Sequence, residues 1–211
     1  MRLVIFGASG LLGTRLVSEA LSRGHEVTAV ARDTSRLDAR GGAVVTASAD
    51  ATDAGSVAKV AAGHDVALSA VTQHDRPEML VDAAQGLLEG LSAAGVRRVV
   101  VAGGAGSLLV APGQRLLDTE GFRDEWKPEA IATAAALDVF RSAETDVEWS
   151  YVSPGALLEP GERTGHYRLG GDELLVDEAG NSRITMEDFA IAMLDEAEHP
   201  AHSRQRFTAA H

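Results

Sequence analysis

The feature that most constrains the fold is a set of three glycines spaced three residues apart, in Gly7-Ala8-Ser9-Gly10-Leu11-Leu12-Gly13. They follow the apolar run Arg2–Phe6 and lead into the helical pattern Leu11–Arg23, and a second apolar run, Glu26–Ala31, comes next. This order predicts a βαβ unit. The glycines are compatible with a plain turn that binds nothing. The βαβ setting favours a nucleotide site instead, because backbone amides and the positive end of a helix face an anion there.

The first 150 residues repeat this alternation of strand and helix. Strands are predicted at Arg2–Phe6, Glu26–Ala31, Ala43–Thr46, Val66–Ser69, Arg97–Ala102 and Glu148–Val152. Helices are predicted at Leu11–Arg23, Ser56–Ala62, Pro77–Ala94, Pro128–Glu144 and Met186–Glu198. Because the strands are apolar on both faces, we predict an α/β, Rossmann-like, doubly wound parallel sheet with helices on both faces and a small C-terminal cap.

The whole chain, residues 1–211, is interpreted as one NAD(P)-binding Rossmann domain. Residues 153–185 are predicted to form the cap on the substrate side. Within it, His166–Leu169 and Glu173–Val176 are predicted to pair as a hairpin across Gly170-Gly171-Asp172.

Composition limits the classes of partner. The net charge of −12 argues against nucleic acid and anionic membranes, which need a basic footprint. Without cysteine there is no thiolate nucleophile, and no histidine pair has metal-ligand spacing, so no metal is expected. With no signal-peptide pattern and no spanning apolar run, we expect a cytoplasmic protein that acts on a small molecule. The sequence does not indicate an oligomeric state.

The end of the second strand bears on cofactor choice. A protein that selects NAD normally places a carboxylate there for the ribose 2′-hydroxyl. Here Arg32 occupies the position and Arg36 follows four residues later, and guanidinium groups suit a 2′-phosphate. We therefore predict NADP(H) over NAD(H), although Asp33 is an alternative occupant of the position and Arg32 is compatible with a solvated loop residue.

Further candidates follow from the rule that ligands bind at the carboxyl ends of parallel strands. Asp50 and Ala51 are placed at the adenine, although Asp50 is also compatible with an Asx turn or a helix cap. Small residues that admit a flat nicotinamide ring follow the fourth and fifth strands: Ala70, Val71, Gly103 and Gly104.

With these pieces placed, the chain resembles the atypical short-chain dehydrogenases/reductases, and among them the flavin/biliverdin reductase B and NmrA-like proteins. The resemblance rests on Gly7–Gly13, Val27–Arg32, Ala49–Asp53, Arg97–Ser107 and Tyr151–Ala156. It implies a nicotinamide cofactor, with a pocket lined by Ser153, Pro154, Gly155 and Ala156, although Pro154 and Gly155 are also compatible with a simple turn of the chain.

The resemblance fails at the catalytic pair. Most catalytic members of the wider superfamily use Tyr-x-x-x-Lys, in which the lysine lowers the pKa of the tyrosine. The two lysines here, Lys59 and Lys127, are preceded four residues earlier by Gly55 and Arg123, so the pair is absent.

Two residues remain as catalytic candidates. Ser107 is the nearest match to a serine of the flavin/biliverdin reductase B type, although a turn cap explains it equally. Lys127 precedes the helix that would hold the missing pair and is compatible with a cofactor contact or a surface lysine. Three residues are candidate walls for a planar substrate: Trp126, His166 and Tyr167. Packing of the loop 103–127 is the alternative role of Trp126.

The sequence therefore predicts an NADPH-dependent oxidoreductase that transfers hydride to a flavin, a quinone or a similar conjugated acceptor. A non-catalytic, NADP(H)-sensing protein of the NmrA type is the alternative. A sugar-nucleotide epimerase or dehydratase fits less well, because its mechanism needs the absent tyrosine.

Overall fold

One eight-stranded sheet organises the residues that the computed structural model describes, which are 1–37, 42–72 and 75–211. The strands are β1 (Arg2–Phe6), β2 (Glu26–Ala31), β3 (Val44–Ser48), β4 (Val66–Ser69), β5 (Arg98–Ala102), β6 (Leu109–Ala111), β7 (Gln114–Arg115), β8 (Glu148–Pro154), β9 (Leu157–Glu159), β10 (Arg168–Gly170), β11 (Arg183–Thr185) and β12 (Gln205–Ala210). The α-helices are α1 (Leu11–Ser22), α2 (Ala54–Ala61), α3 (Met79–Ala94), α4 (Lys127–Ser142) and α5 (Met186–Glu198).

The strand order β3-β2-β1-β4-β5-β8-β12-β10 confirms the predicted Rossmann-like sheet. Every neighbouring pair is parallel except β10 and β12. The order reverses between β1 and β4, so a crevice opens there at the carboxyl ends of the strands. The two remaining pairs, β6 with β7 and β9 with β11, form small separate ribbons.

Helices cover both faces of the sheet because successive strand residues point to opposite sides. On one face, α1 and α5 pack Leu16 and Phe189 against Leu3 and Ile5 of β1. On the other face, α2, α3 and α4 bury residues such as Leu87, Leu91 and Phe140. Among the described residues, no helix combines the length and apolarity needed to cross a membrane.

The predicted hairpin at His166–Val176 is wrong. Arg168–Gly170 pairs antiparallel with the end of β12, a strand that was not predicted from the sequence. Residues 173–176 form no strand with residues 166–169. Leu109 instead forms an isolated bridge to Glu173: its amide donates to the Asp172 carbonyl at 2.9 Å, and its carbonyl accepts from the Leu174 amide at 2.9 Å. The buried strand β12 extends the parallel sheet beside β8, and β10 then closes that edge.

Candidate functional site

The turn between β1 and α1 is shaped for an anion. Gly7 has a left-handed backbone (φ +76°), and a Cβ there would lie 2.4 Å from the Ala70 carbonyl oxygen. A Cβ on Gly13 would lie 2.0 Å from the Gly7 carbonyl oxygen, so only glycine lets α1 start this close to β1. The amides of Leu11 and Leu12 lie in the first helical turn, where no preceding carbonyl accepts from them. No side chain caps this end of α1 and no acid lies in its first turn, so the amides are free to bind a phosphate.

Arg32 lies at the end of β2, where the sequence placed it, and its side chain is exposed. The carboxylate of Asp33 is used locally, because it accepts from the Ser35 amide at 3.0 Å and caps the short turn Thr34–Arg36. Of the two neighbours, Arg32 is therefore the one free to meet a ligand at this position. Arg36 lies in the same exposed turn.

Asp50 follows β3 and forms an Asx turn, accepting from the Thr52 amide at 3.0 Å and the Thr52 hydroxyl at 2.9 Å. The bond from the Thr52 amide is the main cause that lowers the pKa of Asp50, and the charges of Arg32 and Arg76 add to it. The Asx turn, one of the open alternatives, is thus present. The Asp50 carboxylate stays ionised beside Arg32, and the next residue in the chain, Ala51, is buried.

Arg76 is the residue that sequence reasoning missed at this end of the site. It comes from the segment between β4 and α3, is exposed, and its charge reaches Asp50. Within the described part of the chain neither Arg32 nor Arg76 has a side-chain ion pair. The only signal for Arg76 in the sequence was its position in a loop after a parallel strand, and many neutral residues share such a position.

The small residues that follow β4 and β5 are required by internal packing. A Cβ on Gly103 would meet the Tyr151 ring at 2.0 Å, and one on Gly104 would meet the Thr133 hydroxyl at 2.7 Å. These glycines therefore let β8 and α4 pack against the end of β5. Ala70 is buried directly under Gly7, and Val71 is partly buried beside it.

Strand β8 runs further than predicted, to Pro154, so Ser153 lies within the sheet. Ser153, Pro154 and Gly155 are buried, whereas Ala156 is exposed. The Ser153 hydroxyl is fully buried and has no hydrogen-bond partner among the described residues. Such an orphaned polar group is unusual, since buried hydroxyls nearly always find a partner.

Neither tyrosine is free to act as an acid. Tyr151 is buried in β8, where its hydroxyl donates to the Thr133 carbonyl at 2.9 Å and burial raises its pKa. Tyr167 donates to the Asp195 carboxylate, and burial together with that charge raises the pKa of Tyr167. Both phenol hydroxyls are therefore hydrogen-bonded within the protein.

The two catalytic candidates are both held by charged neighbours. The Lys127 ammonium lies 2.7 Å from the Asp124 carboxylate, one turn away on the surface. Ser107 lies in the loop after β5, where its Oγ accepts from the Arg206 guanidinium at 2.8 Å. Arg206 was missed because it lies 99 residues away in β12.

The three candidate wall residues are not brought together. Trp126 immediately precedes α4 and is 45% exposed, with the Arg123 guanidinium 4.7 Å from its ring centre and Phe122 packed edge-on. Tyr167 packs instead against the opposite core, beneath α1 and α5. His166 is exposed, in a segment whose backbone is fastened to Asp188.

These contacts fit a dinucleotide. The space that a Cβ at Gly7 or Gly13 would fill, here called the glycine cradle, has room for a pyrophosphate. Arg32 and Asp50 follow β2 and β3 at the carboxyl ends of the strands, which is where this class of fold binds a nucleotide. Among the described residues, no group of histidines and carboxylates could hold a metal ion.

The sheet order, the glycine turn and the switch point define a Rossmann-type dinucleotide-binding protein. The model of a family described as NAD(P)H-binding matches residues 7–200, and the chain belongs to this family.

Three solved structures are similar over the full length of this chain. One, from Burkholderia pseudomallei and named as a candidate exported protein, is 44% identical with a TM-score of 0.90, covering 100% of both chains. A candidate epimerase from Bacteroides thetaiotaomicron is 39% identical with a TM-score of 0.92, covering 96% of that chain. A candidate NADH-flavin reductase from Streptococcus pneumoniae is 32% identical with a TM-score of 0.87, covering 99% of that chain. These structures agree with the resemblance to atypical short-chain dehydrogenases/reductases.

Proposed function

We propose that the protein is an NADPH-dependent reductase that transfers hydride to a flavin, a quinone or a similar conjugated acceptor. The observation that carries the proposal is a glycine cradle in a protein whose two tyrosine hydroxyls are both hydrogen-bonded internally, to the Thr133 carbonyl and to the Asp195 carboxylate. The family and its flavin reductase-like neighbour support an oxidoreductase.

The cofactor choice rests on side-chain charge. The first-turn amides of α1 would hold the pyrophosphate, and Arg32, supported by Arg76, would hold a 2′-phosphate. The Streptococcus pneumoniae protein is named for NADH, so the preference for NADPH comes from these arginines and not from the comparison.

The acceptor class rests on proton supply. When bound, the reduced nicotinamide supplies a hydride. The chain offers no free phenol to donate a proton at the same time, so the acceptor must be one whose reduced form takes its proton from water. Flavins and quinones meet this requirement, whereas the reactions of sugar-nucleotide epimerases and dehydratases do not.

The direct test incubates the protein and NADPH with flavin mononucleotide, riboflavin and several quinones, and follows the absorbance band of reduced nicotinamide. We expect cofactor oxidation that depends on both protein and acceptor. A Gly13→Val variant is the matched control, because its side chain would fill the cradle. Turnover no faster than the protein-free reaction with every acceptor would reject the proposal.

An NADP(H)-sensing regulator is the second candidate, favoured by the surface ion pair that occupies Lys127. A sensor must bind the oxidised and reduced cofactor with different affinities. Calorimetry with both forms separates the two functions, since equal affinities leave a sensor no signal to transmit.

The proposal includes a cytoplasmic location, where NADPH is available. One similar structure is named as a candidate exported protein, so this part needs its own test. Fractionation of producing cells should find the protein in the cytoplasmic fraction.

A further inference from the structure

A buried guanidinium lies under the loop that follows β5. Arg206 belongs to β12, and its side chain is only 3% exposed. Its Nη1 donates to the Ser107 hydroxyl oxygen at 2.8 Å, and its Nε donates to the Asp172 carboxylate at 2.6 Å. Among the described residues, the only side chain that hydrogen-bonds Arg206 besides the Asp172 carboxylate is therefore the partly exposed Ser107 hydroxyl.

The charged groups around Ser107 come from β12, from α4 and from the segment that follows β10. Asp172 is shared, because the Arg141 guanidinium also lies 3.2 Å from the same carboxylate oxygen. Tyr151, which is opposite Arg206 in the sheet register, is neutral and donates to a backbone carbonyl. Arg141 also lies 3.8 Å from the Asp138 carboxylate, so two guanidinium groups face two carboxylates. Among the described residues, Arg206 is the one charged group that hydrogen-bonds Ser107.

The direction of the hydroxyl hydrogen follows from this arrangement. Arg206 occupies one lone pair of the Ser107 oxygen, so the O–H bond must point away from the guanidinium. Among the described residues, no group accepts a hydrogen bond from it. We infer that Arg206 is a positioning residue, which fixes and polarises the Ser107 hydroxyl so that its hydrogen is offered to a carbonyl oxygen of the acceptor.

This inference rests on the proposed reductase function and names the acceptor as a conjugated carbonyl compound. A hydride brings two electrons from the dihydronicotinamide: its C–H bond breaks, and a new C–H or N–H bond forms on the acceptor. Negative charge grows on the conjugated carbonyl oxygen, where a preorganised donor is most effective. Ser107 donates a hydrogen bond to that oxygen and keeps its proton, and water supplies the proton that completes the reduction.

The first test needs no turnover. The chain has no cysteine, so Ser107→Cys places a single thiol beside Arg206. Nearby positive charge lowers a thiol pKa, and we expect the pKa from iodoacetamide reactivity to lie about one unit below the usual value of about 8.5. In Ser107→Cys/Arg206→Gln it should return to that value. Equal pKa values in both variants, or a thiol that does not react, would overturn the inference.

Thr208→Val is the matched control. Thr208 is also buried in β12 and donates to the Gly171 carbonyl at 2.8 Å, so its loss loosens the segment next to Asp172 without touching Ser107. Placed in the Ser107→Cys background, it should leave the thiol pKa unchanged. A shift as large as that from Arg206→Gln would mean that loosening alone explains the effect.

A kinetic cycle tests the same pair during turnover. We expect Ser107→Ala to lower kcat about 100-fold and Arg206→Gln about tenfold, with the cofactor Kd unchanged. Arg206→Gln should cause no further loss in the Ser107→Ala background, whereas a full additional tenfold loss would overturn the inference. If the parent protein reduces no acceptor, the reductase proposal fails alone, and the thiol measurement still decides whether Arg206 acts on Ser107.

Discussion

A preference between NADPH and NADH would depend on single side chains. Arg32 and Arg76 both act on the Asp50 carboxylate, and in the described residues neither guanidinium is bound to a carboxylate. Two unpaired cations on exposed positions gain most from a dianionic 2′-phosphate, since the bond from a guanidinium to a phosphate is charge-assisted.

We predict that Arg32→Ala weakens NADPH binding by about ten- to 100-fold and changes NADH binding by less than about twofold. The reason is that only NADPH has the 2′-phosphate that the guanidinium would bind. Calorimetric titration of both cofactors measures the difference. Arg97→Ala is the control, because it removes the same charge just before β5. This position is at the amino ends of the parallel strands, away from the candidate site, and Arg97 pairs there with Asp146. Equal weakening of NADPH and NADH would refute the assignment.

The orphaned hydroxyl of Ser153 gives a second prediction at this scale. In the free protein its loss removes a buried polar group without breaking a hydrogen bond, so Ser153→Ala should leave the free energy of unfolding unchanged or raise it by up to about 1 kcal/mol. Urea unfolding measures this. Ser150→Ala is the contrasting variant, because the Ser150 hydroxyl bonds Glu196 at 2.7 Å, and its loss should destabilise by about 1–3 kcal/mol. If Ser153→Ala lowered the free energy of unfolding as much as Ser150→Ala does, the prediction would be contradicted.

The sequence could indicate residues whose role depends on local position. Arg32 was placed from its strand end alone, and the local use of Asp33 agrees with that choice. The partner of Ser107 could not be predicted, since Arg206 reaches it only through the pairing of β12 with β8. Long-range side-chain contacts of this kind have no signature in a single sequence.

At the scale of elements, the β1–α1 unit is the best determined part of the molecule. The spacing of its glycines is set by two close approaches, of Gly7 to Ala70 and of Gly13 to Gly7. Both approaches involve backbone atoms, which cannot move aside as a flexible side chain would.

We predict that Gly13→Ala lowers the free energy of unfolding by about 1–3 kcal/mol and abolishes measurable cofactor binding. The added methyl would push α1 away from β1 and turn its first-turn amides off the phosphate position. Thermal unfolding and cofactor titration measure the two effects. Gly24→Ala and Gly121→Ala help to calibrate them, because a Cβ at either glycine meets open space, although Gly24 has φ +78° and carries backbone strain of its own. Unchanged cofactor affinity in Gly13→Ala would show that the cradle does not hold the pyrophosphate.

Elements with strong local patterns were predicted, and elements defined by their partners were not. Strands β1, β2 and β4 and helix α5 have the predicted bounds, because an apolar run or a helical period marks each one. The segment around Gly170-Gly171-Asp172 has turn chemistry that favours a hairpin. The two predicted strands of that hairpin do not pair with each other, because residues 168–170 pair with β12 and residues 172–174 bond to Leu109. Strand β12 escaped notice because its short apolar run follows the polar stretch 202–206.

At the scale of the whole molecule, buried carboxylates join segments that are distant in the chain. Glu19 of α1 accepts both guanidinium bonds of Arg163. Asp188, at the start of α5, accepts from Thr164, Gly165 and His211. These carboxylates fasten the segment that follows β9 to the face formed by α1 and α5.

The pKa values of these acids are lowered in the folded state. The bond from Arg163 is the main cause for Glu19. Burial acts to raise the pKa of Asp188, but the bonds from Thr164, Gly165 and His211 outweigh it. Burial likewise opposes the lowering at Glu196, where bonds from His202 and Ser150 prevail. Each acid therefore binds its proton more readily when the chain is unfolded.

This difference predicts acid sensitivity of the whole fold. A carboxyl with a lowered folded-state pKa contributes stability that is complete above its unfolded pKa and is lost as the pH falls through its folded pKa. We expect the urea midpoint to be level near neutral pH and to fall steadily below about pH 5. Asp188→Asn should lower the midpoint at neutral pH and flatten the fall in acid, because one of the linked protons no longer binds. Asp82→Asn, on an exposed position of α3, should leave the curve parallel to that of the parent. If Asp188→Asn also left the acid slope unchanged, Asp188 would not be one of the carboxylates that hold the molecule together.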